Sequence, residues 1–396
     1  MSDVPSFFSR MWGHVTTSAA PTPFAIAVYC GFIAFQALLA IFVPGFEVHG
    51  LPVPSEGNVS LPYRCNGVPS WYITLITLAV LHVTHIFRLD QVLEHFGSLI
   101  TVAMIFSDIL AVLEYVSAIM MGKAVRMTGN VIYDFFMGAW LNPRFGKFDL
   151  KFWAETRVAW ILLFVLTLSA AVTQFEKEGT VSPSMLFMVL AHFLYTNACM
   201  KGEECILTTW DIFYEKWGWM LIYWNFCGVP FVYCAQSLYI LKQRVGIKTP
   251  FPVYYVPILV VVLLLAYYVW DTAQSQRNRW RMSLRNINIP RSAPPQFSFG
   301  TLKNPKYLES SAGKLLVDGW WKYARKIHYT ADTIMALTWG LSCGFDHFLP
   351  YFYVCFFSGM IIHRYIRDAS RCKRKYGKDW DKYCATVPYV FIPGII

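Results

Sequence analysis

Charge is scarce in this sequence. Asp, Glu, Lys and Arg make up 15% of its 396 residues, against 56% hydrophobic ones, and mean hydropathy is +0.41. A soluble domain carries about 25% charged residues, so the composition points to an integral membrane protein. The ten cysteines contain no CxxC pair and lie mostly in apolar runs (Cys199, Cys227, Cys234, Cys355). That excludes a zinc site or a disulfide framework and leaves reduced thiols. There is no GxGxxG after a strand and no GxxxxGK[ST], so neither Rossmann nor P-loop nucleotide binding is indicated. The nine histidines offer one close pair, His82 and His85. That is too few for a di-iron oxygenase, and the pair reads as core packing; no metal is expected. The first 20 residues are mixed and polar, without a cleavable apolar core, so the first apolar segment, from about Phe24, is expected to be a permanent span.

Acidic residues are also few: 24 against 34 basic ones, a net charge of +10. In a soluble protein this would raise nucleic acid as a partner. Here the membrane reading prevails, and no nucleic acid is expected. Nineteen of the 34 Lys and Arg follow residue 270, which places the loops there in the cytoplasm.

What the sequence does have is apolar runs of spanning length, which is roughly 17–25 residues. They lie near 24–45, 71–87, 98–121, 158–174, 184–200, 217–241 and 251–270, and two shorter ones near 331–345 and 348–362. The expected fold is an all-α, polytopic membrane protein with about 8–10 transmembrane helices, forming a single domain over 1–396 with a cofactor-binding part from about 251. The loop 46–70 is Pro/Gly-rich and poor in basic residues, which suggests the lumenal side. Loop 122–157 carries six basic residues and 271–330 eleven, which suggests the cytoplasm. Counting spans back from 271–330 nevertheless puts 46–70 and 122–157 on one side, so composition and parity disagree.

Ionisable residues beside spans are costly and often functional. Four clusters stand out. In 363–380, Arg364, Asp368, Arg371 and Lys375 fall at i, i+4, i+7 and i+11, one face of a continuing helix. They suit either an anion-binding wall, with Asp368 fixing its flanking cations, or a solvated helix end. Arg277 and Arg281, with Trp280, fit a phosphate grip or a basic anchor. His328 and Asp332 share a face amid Trp320, Trp321, Tyr323 and Tyr329, as a ligand pocket or an interfacial belt. Within 191–218, Tyr195, Glu203, Glu204 and Asp211 lie between two spans. A carboxyl buried there would have its pKa raised and could donate a proton; a polar loop is the other reading.

The stretches LLVDGWWKYARKIHYTAD (315–332), LPYFYVCFFSGMIIHRYIRDASRCKRKYGKDWDKYC (349–384) and VPYVFIPGII (387–396) resemble the C-terminal signatures of the membrane sterol reductases. These comprise the Δ7- and Δ14-sterol reductases, the lamin B receptor and the C-24(28) sterol reductases. GNVIYDFFMGAWLNPR and DTAQSQRNRWRM extend the likeness from about residue 90 to the end. AHFLYTNACMKGEECILTTWDIFYEKWGWMLIYWNFCGVP and HYTADTIMALTWGL resemble the C-24(28) version.

The resemblance implies an endoplasmic-reticulum-type enzyme that reduces a sterol carbon–carbon double bond with NADPH. The cofactor would sit in a cytosol-facing pocket among the C-terminal helices. By motif, Arg277 and Arg281 would contact the adenosine phosphates and Trp321 and Arg325 would line the pocket. Arg364, Asp368, Lys375 and Tyr383 would complete it beside His328 and Asp332. An unpolarised side-chain alkene needs an acid as well as a hydride, and Glu203, Glu204 or Asp211, acting directly or through Tyr195, is the expected proton source. The partners implied are a sterol and membrane lipid. Competing readings are a Δ7- or Δ14-reductase, a membrane methyltransferase of the isoprenylcysteine type, and a non-catalytic sterol-binding protein.

Overall fold

The structure, a computed structural model, describes residues 4–248, 250–287, 289 and 293–395. The first three residues of the polar N-terminal stretch and the final Ile396 lie outside the described residues. In lipid each backbone N–H and C=O must find its partner within the chain, and helix dominates accordingly. The longer helices are α1 Val4–Ser18, α2 Pro23–Phe42, α3 Gly67–Val83, α4 Phe96–Met120, α5 Leu150–Glu178, α6 Pro183–Lys201, α7 Tyr255–Ser283, α8 Ile327–Leu341 and α9 Phe352–Tyr376. Among the described residues five of these, α2, α4, α5, α6 and α7, are long and apolar enough to cross a membrane. The chain is thus an all-α polytopic membrane protein, as expected. Among the described residues the strands form three two-stranded antiparallel hairpins: β1 Phe46–Val53 with β2 Val59–Cys65, β3 Arg144–Phe145 with β4 Phe148–Asp149, and β5 Tyr307–Ser310 with β6 Gly313–Leu316.

One expected span is not a single helix. Segment 217–241 is broken into Trp219–Tyr223, a π turn Trp224–Gly228, Val229–Val232 and Ala235–Gln243. Pro230, which has no backbone N–H to give the helix, follows directly on the π turn. α5 also contains a π turn, Ala154–Ala159, and such turns occur often at functional sites.

The chain divides into two compact units, Met1–Val181 with His192–Leu241, and Ser182–Ala191 with Lys242–Ile396. In the first unit, loops 46–65 and 122–157 meet at one end. Lys147 pairs with Glu47, Arg144 donates to Pro62 O (3.3 Å), and the Arg144 guanidinium lies 4.6 Å over the Tyr63 ring. These contacts bring the two loops together. The Pro/Gly-rich loop is a paired hairpin, β1 with β2.

In the second unit, α7 outruns its apolar part. Its last turns bury Asp271, Thr272, Ser275, Gln276 and Asn278 beneath residues 298–322. Gln276 Nε2 donates to Phe299 O (2.7 Å), and Gln276 Oε1 accepts from Trp320 N (3.0 Å). Gly319 makes this contact possible. It has φ +58°, and a Cβ there would come within 2.4 Å of Gln276 Oε1, so a side chain is excluded by conformation and by space.

Candidate active site

The second unit gathers most of the expected cofactor residues around the C-terminal end of α7. Trp320 and Trp321 dock on that helix through their indole N–H groups, to Thr272 Oγ1 (2.8 Å) and Ala273 O (2.9 Å). Trp321 packs with Trp280 and Leu316 in a buried cluster. On this platform the Arg277 guanidinium lies 4.5 Å over the Trp321 ring. The His328 ring, at the first turn of α8, is 5.1 Å from Trp321 and 4.2 Å from Tyr329. Arg281 lies one turn beyond Arg277 on the same helix.

His328 sits in a cationic field. Burial first, then Arg277, Lys326, Arg364 and Arg281, hold its imidazole well below the ordinary pKa, so it is neutral. Its Nδ1 is buried and has no hydrogen-bond partner among the described residues. Asp332, one turn on, is also buried.

The expected face of α9 forms as one continuous helix. Arg364, Asp368 and Arg371 are half-buried, whereas Arg367 and Arg374 are exposed. Lys375 is exposed too, its Nζ 4.8 Å over the Tyr376 ring. Asp368 also forms an ion pair with Lys326, from another segment. Burial raises the Asp368 carboxyl, but Lys326, Arg277 and Arg371 outweigh it and leave the pKa below the usual carboxylate value.

Arg325 has a different setting. Its Nη1 donates to Val387 O (2.6 Å), Pro388 O (3.2 Å) and Cys384 O (3.4 Å), while Arg325 N and Lys326 N donate to Tyr389 O and Val390 O. It fastens the 387–391 segment behind the platform. Tyr383 is buried beside Trp380 (5.3 Å between rings). Burial pushes its phenol up to about 12, against the pull of Arg325 and Arg277.

The expected proton donors lie in the first unit. Glu203 is buried and bound at both oxygens: Oε1 accepts from Arg157, and Oε2 accepts from Gly67 N (2.7 Å). Burial raises its pKa, opposed by Arg157 and the Gly67 N–H. Arg157 Nη2 also donates to Asn66 Oδ1 (2.9 Å), and Asn66 Nδ2 caps the end of α2 through Leu39, Ala40 and Val43 carbonyls. A Cβ on Gly67 would fall 2.6 Å from Arg157 Nη1, so only glycine admits this knot. Glu204 is buried next to it, Asp211 is half-buried, and Tyr195 is buried with its ring 4.6 Å from that of Trp160. Lys151 steadies the Asp211 turn by donating to Ile212 O (2.9 Å) and Glu215 O (2.7 Å).

Sequence reasoning missed Lys326, Arg157, Asn66 and Lys151. Lys326 stood inside a quoted motif, but only a tertiary contact distinguishes it from its neighbours. Arg157, an arginine opening a long apolar run, was the one available signal, since such a charge needs a buried partner.

Helices of spanning length, with Arg277 stacked on Trp321 beside the buried His328, define a polytopic membrane protein with cations and aromatic rings gathered at one end of α7. The model of the Ergosterol biosynthesis ERG4/ERG24 family matches residues 6–396, and the chain belongs to that family. It is 42% identical over 389 residues to the Delta(24(24(1)))-sterol reductase erg4A of Aspergillus fumigatus, covering 98% of this chain and 82% of that one. It is 45% identical over 391 residues to the Delta(24(24(1)))-sterol reductase of Gibberella zeae, covering 98% of this chain and 65% of that one. To the Delta(14)-sterol reductase of Dictyostelium discoideum it is 37% identical over 395 residues, covering 99% and 82%. The resemblance expected from residue 90 onward therefore extends over nearly the whole chain.

Proposed function

We propose that this protein is an NADPH-dependent sterol reductase acting on the C-24(28) side-chain double bond of a 24-methylene sterol, within an endoplasmic-reticulum-type membrane. The observation that carries the reading is the stacking of Arg277 on Trp321 beside the buried His328, in a chain whose relatives are named as sterol reductases. The donor set suits NADPH. Guanidinium forks match phosphate oxygens, and the Trp321 and Tyr329 rings offer planar surfaces. His328 Nδ1 is a buried polar atom with no partner among the described residues. Arg277, Arg281, Arg364 and Lys375 would hold the phosphates. Trp321, Tyr383, His328 and Asp332 would shape the pocket, with Asp368 placing Lys326 and Arg325 bracing the wall.

When bound, NADPH supplies a hydride. The chain must supply the proton and apolar walls that keep water from a cationic intermediate. A proton added to the terminal methylene carbon leaves positive charge on the more substituted carbon, where the hydride completes the reduction. The acidic cluster of the first unit is the proposed proton source. Glu203, Glu204 and Asp211, directly or through Tyr195, are the candidates, and Glu203 accepts from Arg157 and Gly67.

Purified protein given 24-methylene, Δ7 and Δ14 sterols with NADPH or NADH tests this reading, with products read by mass. Reduction of the side chain with NADPH is expected. Reduction of a ring bond instead would favour the Δ14-type activity named for the Dictyostelium relative. Full activity in each of Glu203→Gln, Glu204→Gln and Asp211→Asn would remove the acid assignment.

A further inference from the structure

The mixed composition of the first 20 residues conceals a phase. In α1 the residues Val4, Phe7, Phe8, Met11, Trp12 and Val15 recur at i, i+3, i+4, i+7, i+8 and i+11, which is one stripe of a helix. None of α1 is buried, and Trp12 is 69% exposed. A contiguous apolar stripe on a surface calls for a partner. The other face carries Arg10, His14, Thr16 and Thr17, whose side chains other than His14 bond back to carbonyls of the same helix: Arg10 to Ser6 O (3.3 Å), Thr16 to Trp12 O (3.0 Å) and Thr17 to Gly13 O (2.7 Å). No acidic residue lies between Val4 and Ser18.

The end of α1 is fixed in place. A Cβ on Gly97, in the first turn of α4, would come within 2.4 Å of Ser18 O. Thr22 caps α2 through Ala25 N (3.2 Å), and the ring of Phe24 lies 4.4 Å from that of His95, the residue before α4. The helix is therefore held at the level where two spanning helices begin, helices whose Ile26, Leu38, Ile105, Ile109 and Val112 face outward. Helices of spanning length have their ends near the boundary between lipid headgroups and acyl chains. An apolar stripe rimmed by a cation, with no carboxylate, matches the chemistry of that boundary.

We propose that α1 is an interfacial helix, its Phe7–Phe8–Met11–Trp12 stripe seated in the bilayer boundary and its Arg10 face favouring anionic headgroups. The test uses the full chain in liposomes of phosphatidylcholine, with or without phosphatidylserine, carrying a photocrosslinking p-benzoylphenylalanine at Phe8, Trp12, His14 or Ile109. Lipid adducts are read by mass spectrometry. Position 109, exposed in the middle of α4, reports that lipid is reachable. The expected result is lipid adducts at 8 and 12 at least severalfold above 14, rising when phosphatidylserine is added. Adducts at 109 with none at 8 and 12, equal yields at 12 and 14, or crosslinks joining two copies of the chain would each overturn the proposal.

Discussion

The guanidinium of Arg277 lies 4.5 Å above the Trp321 ring, and the indole of that tryptophan donates to Ala273 O, one turn earlier on α7. One helix thus supplies both the platform's anchor and the cation laid upon it. The stacking holds Arg277 in place before any ligand arrives, lowering the ordering cost of binding.

Arg277→Lys should keep the charge and lose the planar stack and fork. A cation–π contact of roughly 1 kcal/mol and a charge-assisted bond of about 1.5–3 kcal/mol set the scale. NADPH affinity, measured by titration calorimetry, should fall about tenfold in the Lys variant and about a hundredfold in Arg277→Ala.

The two faces of α9 should behave differently. Arg364→Ala should weaken NADPH binding by about tenfold or more, because Arg364 is half-buried and bears on His328. Arg374→Ala, on the exposed face, should leave it within about twofold. Equal losses in the two variants would return the helix to a solvated end.

The Lys326–Asp368 pair predicts a pH signature. The folded-state pKa of Asp368 is depressed, on balance by Lys326. Its stabilising contribution is therefore complete above the ordinary carboxylate value of about 3.9 and is lost as pH falls through the lower folded value. Melting temperatures of wild type and Asp368→Asn in detergent should differ near neutrality and converge at strongly acid pH. A constant offset would show that the pair does not titrate as described.

Removing one partner of the buried Arg157–Glu203 pair should cost about 3–5 kcal/mol, because the other charge stays buried. Arg157→Met should thus lower the melting temperature sharply, and adding Glu203→Met should recover part of the loss. If Glu203 acts only as a strut, the recovered double variant should also regain sterol reduction. If it is the acid, stability returns without activity.

Some of this was legible in the sequence, for physical reasons. The runs that became α2, α4, α5, α6 and α7 are long and apolar, and lipid forces such runs into helix. Arg277, Arg281, Arg364 and Asp368 were legible because helical spacing survives in the folded chain. Lys326 as the partner of Asp368, and Arg157 as the partner of Glu203, were not, since each contact joins segments 42 or 46 residues apart. The hairpin 46–65 was not legible, because Pro and Gly there read as loop and only the strand pairing shows otherwise. The periodic stripe of α1 was masked by averaging over polar neighbours.

Arg157 reaches Glu203 from inside the π turn Ala154–Ala159. A π turn is wider than an α turn by one residue, and each α-helical residue advances about 100° around the axis. Deleting a single residue there could restore a regular helix with nearly unchanged composition. It would leave Trp160–Glu178 close to its present phase, because a π turn uses one residue more to complete the same rotation, but it would abolish the wide turn from which Arg157 reaches Glu203. At this point the chain is constrained by its length as well as by its side chains, and a one-residue deletion should be as disabling as the loss of the arginine.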